Sequence, residues 1–129
     1  MPHPTFAITR TLFEGRPAML ESNPSARIVL TTTANTEDAN RLGRTLVEER
    51  LAACATMIQP VQSIYRWQET VETSTETLLL LKTATDQLVA LEERLHQLHP
   101  YQIPEFLVLS VESISTLYFD WIKSNLRSP

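Results

Sequence analysis

The sequence predicts one α+β domain whose elements run β-α-β-β-α-β-α. Three observations carry this order. Two short runs, Arg27–Thr33 and Phe106–Val111, are rich in β-branched and apolar residues, as buried strands are. Two other stretches, 35–51 and 85–98, repeat their apolar residues at three- and four-residue steps, the period of a helix with one buried face. Between them lie two long extended stretches separated only by a short polar turn, which reads as a hairpin.

Residues 1–26 stand apart. Pro2, Pro4, Pro17, Pro24 and Gly15 interrupt them and no periodicity is sustained, so they are expected to be an irregular N-terminal extension to a domain spanning 27–129. Arg10, Glu14 and Arg16 break any apolar core of a secretory signal, and Glu14 and Glu21 weaken a transit-peptide reading. Met19 is a candidate for an alternative translation start, a hypothesis that residues found upstream of it by N-terminal sequencing of the native protein reject.

Arg27–Thr33 forms the first strand, and a helix follows at once. Asn35 or Thr36 caps it, Glu37 and Asp38 complement its positive end, and Ala39, Leu42, Gly43, Leu46, Val47 and Leu51 form its core stripe. Arg44, Glu48 and Glu49 fall on the solvated side. The hairpin arms are Ala55–Gln68 and Val71–Thr83, turning near Glu69 and Thr70. Alternation places Val61, Ser63, Tyr65 and Trp67 on one face and Gln62, Ile64 and Arg66 on the other, with Pro60 marking a bulge or an edge. The second helix, about Thr85–Leu98, buries Leu88, Leu91, Leu95 and Leu98 and leaves His96 in solvent. A buried strand at 106–111 and a last helix follow, the helix capped by Ser115 and carrying Leu117, Tyr118, Trp121, Ile122 and Leu126. Two split β-α-β units of this kind make a ferredoxin-like fold, βαββαβ, here with a long hairpin and an extra C-terminal helix.

Composition narrows the function. A net charge of −4 with eleven scattered Lys and Arg disfavours nucleic-acid and membrane-surface partners, which need clustered cations. No apolar run approaches the ~18 residues of a membrane span. Cys54 is the single cysteine, so no intrachain disulfide can form and a reducing cytoplasm fits. Its neighbours Leu51, Ala52, Ala53 and Ala55 suggest a buried structural thiol with only Arg50 as a local cation.

The stretch Leu98–Glu105 concentrates the polar chemistry. Pro100 and Pro104 bias His99 and Ile103 away from the α region, so the helix should stop by His99 and present His99, Tyr101 and Glu105 from a rigid turn. A helix-stop role for His99 competes there with a ligand role. The hairpin has its own consequence. Each arm is about twice the usual ~5–6 residues, and a domain this small leaves Tyr65 and Trp67 exposed near the tip unless another chain covers them. An obligate homo-oligomer is expected.

Five strings, Leu46–Cys54, Ser63–Trp67, Leu81–Thr83, His99–Glu105 and Tyr118–Ile122, together resemble the CutA divalent-ion tolerance family across about residues 27–126. The resemblance implies a homotrimer of ferredoxin-like subunits with an architecture like that of the PII signalling proteins. It also implies a link to tolerance of copper and other divalent ions. Family members proposed to bind copper use a strand cysteine and a His-His pair; Thr32 and Leu98 stand at the corresponding positions here. His99, with Glu105, is therefore the metal-ligand set the resemblance leaves, for copper or another divalent cation and with no obligatory cofactor.

A second reading is a PII-like sensor that holds a small molecule in clefts between subunits and signals to a protein partner. Tyr65, Trp67, Lys82, His99, Tyr101 and Glu105 would line such a cleft, offering an aromatic wall and a cation to an anionic or zwitterionic ligand. Only Gly15 and Gly43 are glycines, so a Gly-rich phosphate cradle is not expected. Cys54 with His99 is the sole nucleophile–base pairing, and its apolar context argues against an enzyme.

Overall fold

The structure is a computed structural model that describes residues 19–128. The expectations for residues 1–18 lie outside the described residues. In chain order the described elements are β1 (Leu20–Ser22), β2 (Ala26–Thr33), α1 (Thr36–Glu48), β3 (Cys54–Trp67), β4 (Thr70–Ala84), α2 (Leu88–Leu98, entered through a 3-10 turn at Thr85–Gln87), β5 (Leu107–Ser110), β6 (Ser113–Ser115) and α3 (Thr116–Ser124). The main sheet has the order β3-β4-β2-β5, every pair antiparallel, which is the ferredoxin-like arrangement. Leu20–Ser22, inside the segment expected to be irregular, forms a two-stranded ribbon with β6. Its partner lies more than ninety positions downstream, where no local pattern can show it.

Local chemistry explains most boundaries. Asn35 is extended and its side chain accepts the Asp38 N–H at 2.8 Å, capping α1. The Ser115 hydroxyl does the same for α3 through Tyr118 N–H. α2 stops at Leu98 because Pro100 pushes His99 out of the helical region, to φ −76° and ψ 131°. The hairpin turns through Gln68 and Glu69, both at positive φ as a tight two-residue turn requires. Between Ile58 and Val61 the β3–β4 register shifts, so Pro60 sits at the expected bulge.

α1 and α2 cover one face of the sheet. Leu42, Leu46, Leu91 and Leu95 pack on Val29, Leu79 and Leu81, all buried, and each such side chain contributes about 1.5–3 kcal/mol. Gly43 lets α1 approach β3: a Cβ there would lie 3.0 Å from the Ala55 Cβ. Glu49, read as solvated, instead forms a two-pronged ion pair with Arg94, with Nη2 to Oε2 at 2.8 Å and Nε to Oε1 at 2.9 Å, tying the end of α1 to α2. Arg94 thereby holds the Glu49 carboxyl below its ordinary pKa.

The opposite sheet face is different. Ladder partners in antiparallel strands share a face, so Ile28, Leu30, Ile58, Leu78, Leu80, Leu107 and Leu109 line it together. Among the described residues α3 covers one end of this face, where Phe119 and Ile122 are buried with Ala26 and the Lys82 Nζ is 5.9 Å from the Tyr118 ring centroid; the apolar side chains of Ile58, Leu107 and Leu109 beyond it are exposed. Two expectations are corrected here. The strand at 106–111 is not buried: β5 is a four-residue edge paired with β2, and Leu107 is 52% exposed. Nor is Cys54 enclosed by apolar neighbours. It is partly exposed, and the ladder sets it opposite Lys82, with Nζ 4.0 Å from Sγ.

Candidate functional site

The polar site forms where the turn after α2 crosses the end of β2 and the foot of the hairpin. His99 is 6% exposed. Its Nδ1 accepts the Tyr101 backbone N–H at 3.1 Å, so the ring proton sits on Nε2, which donates to the Thr32 carbonyl at 2.8 Å. Thr32 lies two residues past the last β2–β5 ladder pair, Leu30–Leu107, so the imidazole caps the edge of β2 where β5 has ended. The next ring follows directly: Tyr101 lies 4.7 Å from His99, centroid to centroid.

From there the Tyr101 hydroxyl donates to Glu76 Oε2 at 2.5 Å. Glu76 is a β4 residue only 8% exposed, and a phenol–carboxylate bond this short is charge-assisted. Burial, then the bond to Glu76 and its charge, hold the Tyr101 phenol protonated far above its ordinary range. Glu105 joins the cluster from the far side of the turn. Burial first and the Glu76 charge second push its carboxyl upward. The site thus contains two carboxylates that repel each other, one of them clamped by a phenol.

Of the expected residues, His99, Tyr101 and Glu105 come together. Tyr65 is engaged elsewhere: its hydroxyl bonds Ser74 across the hairpin at 2.7 Å. Trp67, 46% exposed, lies farther out, opposite Thr70 beside the turn. Lys82 is six residues beyond Glu76, about 20 Å along the strand, beside Cys54. Within one subunit the six expected cleft residues therefore occupy three places. Among the described residues, no three His, Cys, Asp or Glu side chains converge as a metal centre. Glu76 was missed. In the sequence it is one polar residue in the run Glu72–Thr77, and only the fold shows that of the two carboxylates there it, and not Glu72, is buried.

A cavity of about 300 Å³ between α1 and β3, bordered by Arg44, Met57 and Leu79, contains none of the expected site residues. No helix among the described residues is long and apolar enough to cross a membrane.

Comparison with known proteins gives one consistent answer. Residues 27–125 match the family described as CutA1 divalent ion tolerance protein. The chain is 43% identical over 98 residues, 76% of its length and 95% of the relative's, to a Thermus thermophilus protein named divalent-cation tolerance protein CutA. It is 33% identical over 125 residues, 95% of its length and 71% of the relative's, to the chloroplastic CutA 1 protein of Oryza sativa subsp. japonica. Among solved structures, CutA from Synechococcus elongatus matches with a TM-score of 0.81 at 39% identity, covering 84% of this chain and 96% of that one. Sequence and fold agree over the same region, and the chain belongs to the CutA1 divalent ion tolerance protein family.

Proposed function

We propose that this chain acts in divalent-cation tolerance as a homotrimer that takes up a divalent cation at Glu76 and Glu105, without turnover and without an obligatory cofactor. The observation that carries this reading is the electrostatics of the carboxylate pair. Glu105 is driven toward its neutral form by burial and by the Glu76 charge, and a divalent cation between the two relieves that repulsion. Oxygen donors suit hard cations such as Mg²⁺, Ca²⁺ and Mn²⁺, and at a given site Cu²⁺ ranks above the other first-row divalent ions.

The assembly is supported by the open sheet face and by the two outer edges of the sheet, β3 and β5. A β5 edge of one subunit set on the β3 edge of the next is a head-to-tail contact, which closes into a ring and leaves no edge free. A reducing cytoplasm is the setting this reading assumes, on the strength of the lone thiol.

Native mass spectrometry of the gently purified protein, with copper or manganese at modest excess, tests both parts. The expected result is a trimer of 14.7 kDa subunits with one cation per subunit, lost in Glu105→Gln. A trimer that takes up neither cation refutes the site, and a monomer refutes the assembly.

One observation favours a second reading, the small-molecule sensor: Tyr65 and Trp67 of β3 stand 42% and 46% exposed in one subunit, aromatic surface free to line a cleft. In the trimer, Trp67 and Lys82 of adjoining subunits would complete the cleft for an anionic or zwitterionic ligand whose occupancy a protein partner reads. A co-purified small molecule, lost in a still trimeric Trp67→Ala variant, supports it.

A further inference from the structure

We infer that His99 is a positioning residue rather than a ligand: its neutral imidazole, held between the Thr32 carbonyl and the Tyr101 amide, sets the Tyr101 phenol on one oxygen of Glu76. The role in cation uptake rests on the proposed Glu76–Glu105 site; the positioning itself does not. Coordination requires a free ring-nitrogen lone pair. The Nδ1 lone pair is occupied by the Tyr101 N–H, and Nε2 carries the proton given to Thr32. Either nitrogen could reach a cation only by giving up a bond made by a residue 6% exposed, and that would leave a backbone group without its partner.

The same two bonds anchor the turn. Thr32 belongs to β2 and Glu76 to β4, so a chain of contacts runs from Thr32 through His99 and Tyr101 to Glu76. Pro100 limits the backbone between the two rings, and the rings lie 4.7 Å apart at 55°. With His99 in place, Tyr101 engages Oε2 of Glu76 and leaves Oε1 as the oxygen it does not take. His99 therefore governs how Glu76 meets a cation without touching it.

The test uses the assembled full-length chain labelled with ¹⁵N-histidine, with Zn²⁺ as a diamagnetic probe that favours imidazole. Long-range ¹H–¹⁵N spectra at neutral pH are expected to show His99 as the Nε2–H tautomer, with nitrogen shifts unchanged when Zn²⁺ is added. In His99→Ala, Tyr101 amide exchange and the Zn²⁺ dissociation constant should each rise about tenfold, the equivalent of one lost hydrogen bond. His99→Gln, whose amide offers an acceptor and a donor at similar spacing, should restore both to within about twofold.

An Nδ1–H tautomer, a Zn²⁺-induced shift of a His99 nitrogen, or unchanged Tyr101 exchange in His99→Ala overturns the inference. If His99→Ala does not fold, the wild-type spectra still decide it. If the wild type binds no Zn²⁺, the cation site fails, while tautomer and exchange still decide the positioning.

Discussion

Tyr101→Phe removes one oxygen and little else. The ring that packs at His99 remains, as does the backbone N–H that His99 Nδ1 accepts. What is lost is the 2.5 Å bond to Glu76, a carboxylate 8% exposed that cannot turn freely to water. A hydrogen bond to a charged group is worth about 1.5–3 kcal/mol, and leaving its acceptor buried puts the expected loss in that range for each subunit at pH 7. With a urea slope of ~1–3 kcal/mol/M, the unfolding midpoint should fall by about 1 M. Unfolding followed by circular dichroism at fixed protein concentration measures this, the concentration being fixed because an oligomer's midpoint depends on it. Glu76→Gln and the double variant complete a cycle that isolates the pair, with an expected coupling of about 1–2 kcal/mol. A Tyr101→Phe loss below about 0.5 kcal/mol, with no coupling to Glu76→Gln, would mean that Glu76 is effectively solvated and the clamp contributes nothing.

Other residues make separate tests. Gly43→Ala gains about 1 kcal/mol in helix propensity but sets a methyl 3.0 Å from the Ala55 Cβ, which is fixed to the strand; with overpacking at ~1–3 kcal/mol, a net loss near 1 kcal/mol is expected in urea unfolding, and a stabilised variant would show that α1 shifts freely. Glu105 has its folded pKa raised above the ordinary 4.5, so the folded state holds a proton that the unfolded chain has released. Its contribution is therefore fully present below 4.5 and is lost as pH rises through the window just above it; Glu105→Gln should flatten that fall in the urea midpoint, and an unchanged slope would assign the effect elsewhere. Leu109→Lys places a charge on the β5 edge, and light scattering should find monomers if that edge joins subunits; an intact trimer would move the interface off β5.

The family itself was legible before any coordinates, because five strings spread through the chain carry it. The elements were legible for a physical reason: their signals are local. Asn35 and Ser115 cap the helix that begins one residue later, Pro100 acts on the residue before it, and Leu42 and Leu46 share a face because they are one turn apart. The length of the hairpin could also be read, and with it the exposure of Tyr65 and Trp67. The strand at 106–111 was misjudged because apolar composition shows what a strand prefers to bury, not whether a single subunit supplies the cover; β5 lies at an edge.

The candidate site depended on the tertiary structure for its decisive contacts. His99 meets Thr32 across 67 positions, Tyr101 meets Glu76 across 25, Lys82 meets Cys54 across 28 and Arg94 meets Glu49 across 45. Spacing rules reach about four residues along a helix and two along a strand, so they identified His99, Tyr101 and Glu105 as a rigid polar turn but gave no sign of Glu76. Sequence alone determined the four strands of the main sheet, the three helices and their order, because backbone preference and hydrophobic period act between near neighbours; the β1–β6 ribbon escaped it. Only the tertiary structure decided which carboxylate is buried and where both nitrogens of His99 go, because desolvation and hydrogen-bond pairing depend on what the folded chain brings alongside.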